Sequence, residues 1–219
     1  MHTNSKLLFE KYAKPYFTPG LRVLEIGPDS IPSTYKTIIG DNSLSWDTLD
    51  LYQNPNLTYL AVDEYCYPIP DNHYDIVLSG QVLEHVRKVW VWIKELARVC
   101  KPGGLVITIN PVSYPYHVTP VIVDCYRIFP DGMKALYQEA ELSVITSVFE
   151  SLEYPSYRNY IPGCSLDSRR TLRGRIWRSL NLFLGKTGWP VERAYDTITI
   201  GEKINNSSQA TGEPKQTDT

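Results

Sequence analysis

Apolar positions along the chain fall into two rhythms. Short runs rich in β-branched and aromatic residues read as strands: 21–26 (LRVLEI), 46–52, 57–62, 74–80 (YDIVLSG), 105–110 (LVITIN), 143–151 and 194–204. Between them, apolar residues recur every three or four positions. A helix is expected over 5–14, with Leu8, Tyr12 and Phe9 turned inward. A second is expected over 82–100 on the spacing of Val89, Ile93, Leu96 and Cys100, stopped by the KPGG at 101–104. A third runs over 130–142, opening at a proline. The stretch 31–43 (IPSTYKTIIGDNS) is the weakest helical segment, short and interrupted by Gly40.

Strands alternating with helices imply an α/β fold with a doubly wound, mainly parallel seven-stranded sheet. Residues 1–204 are expected to form one domain, with 152–190 inserted as a lid before the last strand and 205–219 a disordered polar tail. In such sheets ligands bind outside the carboxyl ends of the strands, where strand order reverses. That rule gathers Gly27, Asp50, Asp63, Ser79 to Gln81 and Asn110 around one crevice.

Composition narrows the field only a little. The 219 residues are 42% apolar and 21% charged, with a formal net charge of -2, so no overall basicity draws the chain to nucleic acid. Cys66, Cys100, Cys125 and Cys164 have no metal-ligand spacing and fit reduced thiols in a cytoplasmic protein. Residues 1–20 lack the apolar core of a signal peptide.

The strand ends carry the chemistry. Gly27 lets a ligand approach the backbone, and Asp50 is placed to accept hydrogen bonds from both ribose hydroxyls. A nicotinamide-binding fold would show G-x-G-x-x-G, which is missing. Three blocks in order, VLEIGP, PIPDNHYDIVLSGQVLEHV and ELARVCKPGGLVITI, resemble the class I S-adenosylmethionine-dependent methyltransferases, in their type 11 branch. The resemblance covers about residues 20–142. It implies S-adenosyl-L-methionine as cofactor, held by Glu25, Gly27, Pro28, Asp29, Asp50, Leu51, Asp63, Glu64, Ser79 and Gln81. The family's loop is E-x-G-x-G-x-G, and here Asp29 and Ile31 replace two of its glycines. Asp29 is the awkward residue, since a carboxylate there would repel the cofactor's own; its side chain is expected to point away or to meet the cofactor's ammonium.

Methyl transfer to a hydroxyl needs something to remove the proton. The segment 110–142 resembles a subgroup of bacterial glycan and surface-polysaccharide methyltransferases, in which it covers the acceptor. On that resemblance His117 and Asp124 are catalytic candidates, with His117 first as general base and Tyr126 and Arg127 beside them; His85, which follows the fourth strand beside the crevice, is a further candidate. The rival reading is a packed loop with an Asp124–Arg127 ion pair. Gln81, Glu84 and His85 are expected on one face of a helix at i, i+3 and i+4. RNA 2'-O-methyltransferases with a similar E-x-x-E-H segment bind a divalent ion, but Gln81 removes one ligand and no metal is expected.

Residues 168–186 form a basic amphipathic segment, with Arg169, Arg170, Arg173, Arg175, Arg178 and Lys186 against Leu172, Ile176, Leu180, Phe183 and Leu184. It fits a peripheral contact with an anionic membrane or a phosphorylated substrate, or an ordinary surface helix with its apolar face on the sheet. The expected activity is O-methylation of a sugar, a glycolipid precursor or a small hydroxylated metabolite, without nucleic-acid binding. The alternatives are a metal-assisted RNA 2'-O-methyltransferase and a non-catalytic scaffold of the same fold.

Overall fold

The computed structural model describes residues 3–118, 122–152 and 194–205, together with the helical residues Ile176, Ser179, Leu180 and Phe183. Seven strands form one sheet: β1 (Arg22–Ile26), β2 (Ser45–Asp50), β3 (Tyr59–Leu60), β4 (Tyr74–Gly80), β5 (Cys100–Pro111), β6 (Leu142–Glu150) and β7 (Asp196–Lys203). Their order is β3-β2-β1-β4-β5-β7-β6. The first five are parallel, and β7 runs antiparallel to both β5 and β6. Strand order reverses between β1 and β4, which places the crevice at the ends of those two strands.

Helices cover both faces. On one side lie α3 (Val89–Val99) and α4 (Pro130–Glu139), whose Trp92, Ile93, Leu96, Met133 and Tyr137 are buried against the sheet. On the other lie α1 (Thr3–Leu8), a π turn over Phe9–Ala13 and α2 (Thr34–Ile39). There Leu7, Leu8, Phe9 and Tyr35 bury with Val23, Ile76 and Ile107. A ring buried on each face of a central strand explains why those strands read as continuous apolar runs instead of alternating ones.

Four elements differ from the sequence pattern. The helix expected over 82–100 is split into a 3-10 turn at Leu83–His85 and α3, because Val82 and Lys88 leave helical geometry and Val86 is extended. The first helix loosens into a π turn at Phe9–Ala13 and then tightens into a 3-10 turn at Lys14–Tyr16, which contains Pro15. The strand expected over 57–62 is reduced to two residues, with Val62 95% exposed beyond it. The KPGG does follow the end of α3, but β5 already begins at Cys100, which pairs with Tyr74. Except for Leu152 and the four helical residues named above, the lid segment 152–190 and its basic side chains lie outside the described residues, as do Cys164 and the tail 206–219. Of that segment Ile176, Leu180 and Phe183 are exposed, so these three do not pack on the sheet.

Candidate functional site

The turn after β1 is fixed by two demands on Gly27. Its φ of 66° lies in the left-handed region, and a Cβ at this position would stand 2.3 Å from Val82 Cγ2. Its amide donates to Leu49 O at 2.9 Å, tying the turn to β2. One glycine is therefore enough to bring backbone to the crevice. Glu25, expected among the cofactor ligands, is instead 1% exposed and faces away. It accepts hydrogen bonds from the Ser33 hydroxyl and from Trp46 Nε1 at 2.9 Å. Burial pushes its carboxyl up to about 7 in spite of those donors.

Asp29 points away from the crevice. Its carboxylate accepts from Thr34 N at 2.9 Å and Thr34 Oγ1 at 2.6 Å, anchoring the start of α2. Partial burial raises its carboxyl, but the Thr34 bonds outweigh this and hold it below its ordinary value. Pro28, between these two anchored residues, does not line the cavity.

A cavity of about 60 Å³ opens beside the turn, lined by Ile26, Gly27, Asp50, Leu51, Glu64 and Trp92 among others. Asp50 ends β2 with one oxygen accepting from Tyr52 N at 3.1 Å. Burial raises its carboxyl above the ordinary value. Of the two acids after β3, Asp63 is exposed and occupied by Tyr65 N at 2.6 Å, whereas Glu64 faces the cavity with a buried Oε2 that has no hydrogen-bond partner. Of the two acids expected there, Glu64 borders the cavity and Asp63 does not.

The side chains of Ser79 and Gln81 also turn from the cavity. Ser79 is 2% exposed beneath the turn, with Oγ reaching Ile26 O at 3.4 Å. Gln81 is not on a helix face with Glu84: its φ is 61°, and its amide donates to Ser5 Oγ at 2.9 Å and Asp196 Oδ1 at 3.2 Å. It locks the N-terminal helix over the sheet and leaves the ligand side.

The sequence reading missed Tyr67, Val86 and Trp92 as lining residues. Trp92 and Tyr67 are joined by a 2.7 Å hydrogen bond from Nε1 to the hydroxyl. The available signal was position: Trp92 lies one turn into the helix that follows β4, on the face shared with Val89.

The acceptor-side candidates come together across 32 residues of sequence. Glu84, His85 and His117 each offer a ligand atom, all within 4.8 Å of one another. The rings of His85 and His117 meet edge to face, with centroids 5.1 Å apart. Two contacts dock the loop onto the 3-10 turn: Cys125 N donates to Glu84 O at 2.6 Å, and His85 Nδ1 lies 2.6 Å from Val123 O. Asp124 is clamped by Arg127 through both oxygens, at 2.5 and 2.7 Å, and also accepts from His117 N at 2.8 Å. The Arg127 guanidinium holds its carboxyl down at about 2. Asp124 is therefore an ion-paired positioning residue for His117. Burial pushes Glu84 up to about 8, and burial lowers His85 below the ordinary histidine value.

Residues 40–108 match the family described as a methyltransferase domain. Among curated proteins, an uncharacterized methyltransferase of Mycobacteroides abscessus is 46% identical over 55 residues, covering 25% of this chain and 21% of the relative. The ubiquinone/menaquinone biosynthesis C-methyltransferase of Shewanella woodyi is 24% identical over 141 residues, covering 56% of each chain. The chain thus spans less than two thirds of the length of these relatives. A phosphoethanolamine N-methyltransferase of Haemonchus contortus, solved in complex with S-adenosyl-L-methionine, superposes with a TM-score of 0.55 at 13% identity, covering 92% of this chain and 53% of that one. The sheet described above is the Rossmann-like methyltransferase fold. Among the described residues no helix is long and apolar enough to cross a membrane.

Proposed function

We propose that this chain is an S-adenosylmethionine-dependent methyltransferase acting on a hydroxyl oxygen of a small acceptor, with a sugar or glycolipid precursor as the leading class. One observation carries the reading: Gly27, Asp50 and Glu64 border a single cavity at the strand-order reversal. Asp50 is positioned for the ribose hydroxyls, and Glu64 offers an unpartnered oxygen to a donor such as the adenine amine. The methyltransferase-domain match over 40–108 and the cofactor-bound fold relative support the same ligand.

In the reaction the methyl carbon leaves the sulfonium sulfur as its bond to the acceptor oxygen forms in line. S-adenosylhomocysteine departs, and the hydroxyl proton must be accepted. Oxygen is favoured as the acceptor atom because an imidazole pair stands on that side, at the loop beyond β5 and the turn beyond β4. With Asp124 holding its backbone, His117 is the proposed proton acceptor, and His85 lines the same site.

The test is mass spectrometry after incubation with methyl-labelled cofactor and a panel of sugar nucleotides, glycolipid precursors, quinols and short RNAs. Label on a hydroxyl of a sugar acceptor supports the reading. Label on a quinol carbon moves the chemistry to the activity of the Shewanella relative, and label on RNA moves it to the 2'-hydroxyl.

A further inference from the structure

The sequence pattern treats His85 and His117 as alternative bases and discounts a metal because Gln81 stands where a carboxylate would. The structure removes Gln81 from the question, since it turns to Ser5 and Asp196, and it supplies a third ligand that sequence spacing does not reveal. We propose that Glu84, His85 and His117 form a binding site for a divalent first-row transition metal.

Tautomers point the right way. His85 Nδ1 is 2.6 Å from the Val123 carbonyl, so that nitrogen carries the proton and Nε2 keeps its lone pair. His117 Nδ1 lies 3.0 Å from Pro115 O and 3.3 Å from Asp124 Oδ2, which fixes the same tautomer there. Metal-binding histidines characteristically donate their second nitrogen to a carbonyl or carboxylate, and here both do. His85 Nε2 stands 3.7 Å from Glu84 Oε1, beyond hydrogen-bond distance, so neither atom is taken up by the other and both can turn to a cation between them.

Independent support comes from burial. Glu84 is 1% exposed, and its Oε2 is a buried oxygen with no hydrogen-bond partner. A buried carboxyl left half-satisfied costs stability unless something coordinates it. Two imidazoles and one carboxylate suit Zn²⁺, Mn²⁺ or Co²⁺ better than Mg²⁺ or Ca²⁺, which prefer all-oxygen sites. His117 stands on an exposed loop and can close the present 4.8 Å spread to bonding distance. Three protein ligands leave positions open for water or a hydroxyl.

The function of the ion, unlike its binding, rests on the methyltransferase reading. A bound hydroxyl is acidified, its proton passes to solvent water, and the alkoxide oxygen takes the methyl carbon. His117 then acts as a ligand instead of the base.

The experiment uses the full chain stripped with chelator and titrated with Mn²⁺ and Co²⁺ by calorimetry, with the Co²⁺ spectrum recorded alongside. Saturation at one ion per chain is expected, with no thiolate charge-transfer band, because the ligands are nitrogen and oxygen. His117→Ala and Glu84→Gln should each weaken binding at least tenfold, and His73→Ala should leave it unchanged. His117→Ala keeps the test decisive if the buried Glu84→Gln chain fails to fold. Absence of one-to-one binding, a thiolate band, or equal affinity in His117→Ala overturns the site. S-adenosylhomocysteine binding measured on the same samples separates the two claims: ion binding without it leaves the metal site standing and removes the methyltransferase reading.

Discussion

Glu25 and Glu84 flank the crevice as buried carboxyls, raised by burial to about 7 and about 8. A carboxyl raised on folding contributes stability that is fully present below its unfolded value, near 4.5, and lost as pH rises through the folded value. The metal-free chain should therefore unfold at lower urea concentration at pH 8.5 than at pH 5.5. The slope approaches about 1.4 kcal/mol per pH unit for each group titrating. Glu84→Gln should flatten this dependence and raise the midpoint at pH 8.5, as should a saturating divalent ion. A pH profile unchanged by Glu84→Gln would mean that the side chain is solvated and ionised. At this scale the sequence was legible where the backbone alone decides, as at Gly27, whose left-handed turn borders the cavity. It was not legible where side-chain direction decides. Glu25, Ser79 and Gln81 lie on the expected segments, yet their side chains bond to Ser33, Ile26 and Ser5, whereas Asp29 turns to Thr34, one of the two directions expected of it.

The cofactor turn and the acceptor loop are separate elements with separate failure modes. Gly27→Ala drives a methyl group into Val82 and forces a left-handed φ on alanine. It should weaken S-adenosylhomocysteine binding at least tenfold by calorimetry. Adding Val82→Ala should recover part of that loss, because it removes the clash but not the φ strain; no recovery would mean that backbone strain alone is responsible. In the loop, Arg127→Ala leaves the enclosed Asp124 carboxylate without its bidentate partner, a change that costs about 3 kcal/mol or more for buried pairs. Loss of metal affinity with retained cofactor affinity is expected, since among the described residues the hydrogen bonds of Arg127 go to Tyr114, Pro115, Asp124 and Tyr126, outside the cavity; parallel loss of both would show the two elements to be coupled. Strand and helix types were read correctly for most segments because their apolar periods are long. The break at 86–88 was hidden because Val86 and Val89 both fit a helical stripe, and only backbone dihedrals separate the 3-10 turn from α3.

At the scale of the molecule, one sheet with a core on each face sets two groups of residues at the same strand ends: Gly27 and Asp50, at the ends of β1 and β2, border the cavity, and the segments beyond β4 and β5 bring Glu84, His85 and His117 together. The doubly wound, mainly parallel sheet follows from alternating elements and was foreseeable. The meeting of His117 with Glu84 was not, because it depends on how the loop beyond β5 folds back over the 3-10 turn. The basic side chains of 168–186 lie outside the described residues; of that segment Ile176, Leu180 and Phe183 are exposed. Everything proposed about catalysis depends on the crevice at the ends of β1 and β2 holding the methyl donor. Calorimetric titration of the wild-type chain and Asp50→Ala with S-adenosylhomocysteine addresses this directly. One site per chain is expected, with affinity falling at least tenfold, about 1.4 kcal/mol, in the variant whose fold is otherwise retained. No binding by the wild-type chain, or equal affinity in Asp50→Ala, would contradict the assignment.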